Sequence, residues 1–151
     1  MSGALYDRRR SGVAAVEFAL CLPLLMIMMG GITDLSLEMR SKMLLATGVS
    51  NAASEAIATK GSATAATLQT LVTDSSGLTG VTTTVSALAY ECASGTPATL
   101  KASSSGSTCT SGGTAGEYQT ITAKYTYTPL MPAFSAVVKT ALTETATVQV
   151  Q

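Results

Sequence analysis

Twenty consecutive residues, Val13 to Ile32, contain a single charged side chain, Glu17. As a helix this stretch is about 30 Å long, the hydrocarbon thickness of a bilayer. Immediately before it stand Arg8, Arg9 and Arg10, opposed only by Asp7. A basic cluster at one end of a span is held on the cytoplasmic side, so the arginines set a topology with the amino terminus inside and the remaining chain outside. A secretory signal peptide shares the basic start, but its apolar core is shorter and closes on a small-x-small cleavage site. Here Met29 is followed by Gly30, Gly31, Ile32, Thr33 and Asp34, which is not such a site. A twin-arginine export signal would need a different continuation after the arginines. A plain single-pass anchor explains every feature of the run except Glu17.

An ionisable side chain within a span costs about 2.5 to 3.5 kcal/mol at the bilayer centre and less toward the interface, so it is kept where it has a partner or a task. Glu17 follows Gly12, Val13, Ala14, Ala15 and Val16 and precedes Phe18. Arg10-Ser11-Gly12 followed by Val13-Ala14-Ala15-Val16-Glu17-Phe18 resembles the processing site of type IV prepilins and pseudopilins. The continuation Ala19-Leu20-Cys21-Leu22-Pro23-Leu24-Leu25 is similar to the TadE-like minor pilins of tight-adherence secretion systems, and so is Tyr125-Thr126-Tyr127-Thr128-Pro129-Leu130-Met131-Pro132 near the other end.

The resemblance implies that a membrane aspartyl prepilin peptidase removes residues 1–12 as a leader by cutting between Gly12 and Val13. It further implies an inner-membrane protein with a periplasmic carboxy-terminal domain. Its partners would be the peptidase, other pilins or pseudopilins and the inner-membrane assembly platform, and its place would be in the initiation, capping or regulation of an adhesive pilus. The competing reading is an uncleaved single-pass envelope protein whose outer domain binds a surface ligand or partner.

The physics of such a cut can be stated independently. The leader takes three of the nine basic residues and one of the nine acidic ones, leaving six and eight. Cleavage creates an ammonium at Val13, at the positive end of a helix dipole, where a cation is poorly placed. Val13 and Glu17 are four residues, or about 6 Å, apart along the axis. A neighbouring helix shifted by that rise would bring its Glu17 beside this Val13 and fix the register of two subunits, with Phe18 packing alongside. The same-chain pair at i and i+4 is the alternative. Ala15 and Ala19 add a small-residue stripe that permits close helix approach.

Beyond the span, Leu35, Met39, Met43, Ala46, Val49, Ala53 and Ile57 recur close to the helical period. The spacing predicts an amphipathic extension over residues 33–61, supported by a Glu38–Lys42 pair and ended by Lys60 in the last turn and Gly61 in a left-handed stop. A second helix is expected over 62–76, with Leu68, Leu71 and Val72 on one face and a stop near Gly77. The period then falls to two. Val81 to Tyr90, Ile121 to Tyr127 and Leu142 to Val150 read as three strands, each with an apolar face opposed by threonines. The expected class is α+β: a long amino-terminal helix, half transmembrane and half amphipathic, packed on a small three-stranded antiparallel sheet. Residues 62–151 would form the extracytoplasmic domain, with a turn or short helix after Pro129 and Pro132.

Cys92 and Cys109 flank a stretch rich in Ser, Gly and Thr that reads as a flexible loop. Outside the cytoplasm the two can join as a disulfide; free thiols or a share in a metal site are the other options, although no Cys-x-x-Cys spacing suggests zinc. Cys21, in the span, reads as a small apolar residue. The chain has no His and its basic and acidic residues balance. The missing His removes the usual general base and metal ligand, and the balance argues against a nucleic-acid partner. No nucleophile elbow or phosphate-binding loop is present, and Glu91, Glu117 and Glu144 are not spaced as a catalytic carboxylate pair. The reading is a non-enzyme with no metal and no cofactor.

Overall fold

The computed structural model describes residues 4–95 and 99–151, with side chains from Val13 onward except that of Ala133. Helix α1 runs without interruption over Ala4–Ala58, through Pro23 and the Gly30–Gly31 pair. It ends where Gly61, at φ 74°, donates its N–H to the Ala56 carbonyl at 2.9 Å. Lys60 lies beyond the last turn and itself takes a positive φ, so it is part of the stop and not the basic end of the helix. Helix α2, Ala65–Ser76, begins with the Thr64 hydroxyl accepting from the Thr67 N–H and ends at Gly77 in the left-handed region.

Five strands form one antiparallel sheet, not three: β1 (Thr82–Val85), β2 (Ala89–Ser94), β3 (Thr99–Ala102), β4 (Gly116–Thr126) and β5 (Ala141–Gln149). The central strand is β4. Along one edge it pairs with β5, Tyr118 opposite Gln149 through Thr126 opposite Ala141. Its other edge is shared, with β1 pairing Thr82–Val85 against Ile121–Lys124 and β2 pairing Ala89–Glu91 against Gly116–Tyr118. The strand expected over 81–90 is therefore one lane broken at Ser86–Leu88. The break is held by Ser86, whose N–H donates to the Thr120 carbonyl at 2.8 Å and whose hydroxyl accepts from the Thr120 N–H at 2.9 Å. The fifth strand, β3, lies inside the Ser/Gly/Thr-rich stretch and pairs with β2.

The alternation of faces is as the sequence indicates. Ile121, Ala123, Tyr127, Leu142 and Val150 are buried, while Thr120–Thr147 and Thr122–Thr145 meet as hydroxyl pairs at 2.9 and 3.1 Å on the outer face. Helix α1 covers the inner face with a side that coincides with the apolar spacing only at Val49 and Ala53. Leu45, Val49, Ala52, Ala53 and Ala56 are buried there, whereas Leu35, Met39, Met43 and Ile57 are exposed. Beside Leu45 and Val49 the inward face carries small residues where α2 comes close: a Cβ on Gly48 would stand 2.7 Å from the Val72 carbonyl oxygen of α2. Lys42 reaches Glu144 of β5 at 3.7 Å instead of pairing with Glu38. That bridge also gives Glu144 an ordinary partner.

Candidate functional site

From Val13 to Met29 the apolar stretch of α1 is exposed along its whole length. None of its most apolar window is buried within the protein, and Val13, Val16, Phe18, Leu20, Leu24 and Leu25 are all exposed. A helix that is apolar all round and uncovered by its own fold belongs in lipid or among other helices. Glu17 lies on this surface, exposed, and no ion pair is formed to it among the described side chains. Arg8, Arg9, Arg10 and Gly12 continue the backbone of α1, but their side-chain surroundings lie outside the described residues, as does the start of the leader at 1–3. Gly12, Val13, Glu17 and Phe18 lie in sequence along one helix, with Val13, Glu17 and Phe18 presented outward.

Where this helix leaves its apolar run, the far end of the chain returns to meet it. The loop Tyr127–Thr140 closes on itself through the Tyr127 N–H and the Thr140 carbonyl at 2.6 Å, and carries a single 3-10 turn at Pro132–Phe134. It docks on α1 through Asp34, whose side chain is wholly buried. One carboxylate oxygen accepts from the Leu130 N–H at 2.7 Å and the Tyr127 hydroxyl at 3.2 Å, and the other accepts from the Met131 N–H at 3.1 Å. Pro129 and Pro132 have no N–H, so the two residues between them supply the backbone donors. A carboxylate taken out of water needs such donors, and three of them satisfy it without a cation.

One turn earlier the helix is bare. Met131 lies against Gly30, and a Cβ on Gly31 would meet the Phe134 ring at 3.0 Å. The two glycines form the seat that lets the loop lie directly on the helix backbone.

Sequence reasoning did not single out Asp34. The Tyr-x-Tyr-x-Pro-Leu element was noticed only as part of a resemblance, and its physical role is this clamp. The disulfide between Cys92 and Cys109 is formed, with a Cα–Cα distance of 5.5 Å, and ties β2 to the turn that ends in the Thr108–Thr114 bridge. Cys21 is free and exposed. Among the described residues no group of three or more Cys, Asp or Glu is placed to hold a metal ion.

Loss of contact with water raises the pKa of the Tyr127 hydroxyl above its ordinary 10.0, reinforced by the hydrogen bond to Asp34 and by the negative charge of that carboxylate. Glu38 and Tyr125 act in the same direction. A raised folded-state value favours the neutral phenol, so its contribution is complete below the unfolded value near 10 and is lost as pH rises through the folded one. Tyr127→Phe is therefore expected to melt below the wild type at about pH 8, with the gap closing toward about pH 12. Melting curves of both proteins across that range check this; a gap that stays constant contradicts it.

A long exposed apolar helix joined to a covered antiparallel sheet defines the class, an α+β protein with a helix long and apolar enough to cross a membrane. Residues 12–57 match the family model of TadE-like proteins, so over that segment the chain is similar to them. The match begins at Gly12 and ends one residue before the end of α1. It therefore covers the span, the glycine seat and Asp34 but none of the sheet. Neither the curated proteins nor the solved structures contain a match to the chain.

Proposed function

We propose that the protein is a minor pilin or pseudopilin of a tight-adherence system, processed by a prepilin peptidase between Gly12 and Val13 and retained in the inner membrane or drawn into a pilus through its amino-terminal helix. The observation that carries this reading is the exposed apolar surface of α1 with one acid, Glu17, four residues from the new terminus, inside a segment that matches TadE-like proteins. In the mature chain the Val13 ammonium needs an anion and Glu17 needs a cation. Two helices offset by about 6 Å satisfy both at once, and lipid satisfies neither.

The outer domain would work outside the cytoplasm, where the disulfide is stable. Its clamp at Asp34 would hold it at a fixed angle to the span, so that a register set in the membrane is transmitted to the surface the domain presents. Initiation, capping or regulation of assembly are the tasks such a subunit would perform, with other pilins and the membrane platform as partners.

The test is Glu17→Ala in the native host. The variant is expected to be cleaved as the wild type is, because the cut is made in front of Val13. It is expected to lose co-purification with other pilin subunits, and Glu17→Asp to restore part of it. Unchanged co-purification of the alanine variant would overturn the register role.

A further inference from the structure

The loop that docks on α1 carries apolar side chains that the fold leaves uncovered. Leu130 is 69% exposed, Met131 38% and Val137 77%. Their depth is fixed by the contacts of the loop: Met131 on Gly30, Phe134 on Gly31, and the Leu130 and Met131 amides on Asp34. Gly30 and Gly31 lie within the apolar run, and Asp34 is two residues past its end, about 3 Å along the axis. A segment laid against the helix at this level stands where headgroups meet acyl chains once the run crosses a bilayer.

The charges around the corner agree. Lys139 is exposed just beyond it, and Arg40 lines a groove with Leu130 on the side away from the span. Of the nearby acids, Asp34 is consumed by its three donors and Glu38 is half-buried. Apolar side chains rimmed by cations are what binds the surface of an anionic membrane.

We propose that the Leu130–Val137 corner is a second membrane contact, a wedge seated in the outer boundary of the bilayer that residues 13–32 cross. Leu130, Met131 and Val137 enter the acyl boundary, while Lys139 and Arg40 meet anionic headgroups. The domain is then held to the membrane at two places, the span and the wedge, and cannot swivel freely about α1. This inference rests on the reading of residues 13–32 as a span.

The chain contains no Trp, so single-Trp variants report one position each. The full-length protein is reconstituted in vesicles of phosphatidylcholine and phosphatidylglycerol, with and without bromine on the upper acyl chain. Leu130→Trp and Val137→Trp are expected to emit at shorter wavelength than a water-exposed indole and to be quenched roughly twofold by brominated lipid. Leu25→Trp reports the span itself. Ser104→Trp, next to the β2 end of the sheet and roughly 30 Å of β4 away from the corner, should stay unquenched.

Quenching at Leu25 with water-like emission at 130 and 137 would overturn the wedge and leave the span standing. Blue-shifted emission at 130 and 137 without quenching would also overturn it, because protein and not lipid would then cover the corner. Absence of quenching at Leu25 would overturn the span reading and the inference with it.

Discussion

Replacing Asp34 by alanine is expected to release the Tyr127–Thr140 loop from α1. The Leu130 and Met131 amides lose their acceptor together, and the Tyr127 hydroxyl keeps only the Asp34 backbone carbonyl at 3.3 Å. A buried donor left without a partner costs about 1–3 kcal/mol, so the two amides together lose about 2–4 kcal/mol where water enters only in part. The loop would open before the sheet does, and its amides report that opening directly. Hydrogen exchange at Leu130 and Met131 is expected to accelerate at least roughly a hundredfold in Asp34→Ala, with β4–β5 amides affected less. Asp34→Asn keeps one acceptor oxygen but turns an NH2 toward an amide, and should fall between the two. Protection at Leu130 and Met131 that matches the wild type would show that the clamp does not hold the loop.

The second large effect belongs to the disulfide. Cys92 and Cys109 are separated by 17 residues, and a closed loop of that size stabilises a fold by about 3 kcal/mol through the entropy it removes from the unfolded chain. Reduction, or Cys92→Ser with Cys109→Ser, is expected to loosen the β2–β3 hairpin and the turn behind it, where Thr99–Ala102 has no partner strand but β2. The β4–β5 ladder and its contact with α1 lie outside the loop and should persist. Alkylation in denaturing detergent checks the bond itself: one thiol, Cys21, labels before reduction and three label after it. Three labelled thiols without reduction, in protein secreted by its own host, would contradict it.

The two large effects differ in how far the sequence announced them. The disulfide was within reach, since two cysteines bracketing a loop outside the cytoplasm have an evident use for each other. Asp34 was silent, because its donors lie 93–97 residues away and a lone Asp after an apolar run looks like any interfacial residue. The helical periods placed the end of α1 and both ends of α2 to within a few residues but not the start of α1 at Ala4, and the Thr-rich alternation placed β4 and β5 on the correct faces.

The helix face was legible only at Val49 and Ala53, for a physical reason. Apolar spacing weights large side chains, and on α1 the large ones, Leu35, Met39 and Met43, point away from the domain. The inward face sets Leu45 and Val49 among Ser41, Gly48, Ala52 and Ala56, small residues that let α2 and the sheet approach. In a chain that also has lipid or other subunits to meet, hydrophobicity does not mark the interior. The hidden strand β3 was missed because Thr99-Leu100-Lys101-Ala102 is too short to show a period, and pairing with β2 and the nearby disulfide make it a strand.

The proposed processing at Gly12–Val13 is the step on which the proposed Glu17 register and the proposed place among pilins both depend. The direct measurement is the intact mass and amino-terminal sequence of the protein recovered from host cells with and without the prepilin peptidase. With the peptidase, a chain that starts at Val13 and has lost the mass of residues 1–12 is expected, and without it the leader is expected to persist. Identical chains from both strains, each beginning at Met1 or Ser2, would contradict it and leave an uncleaved anchor.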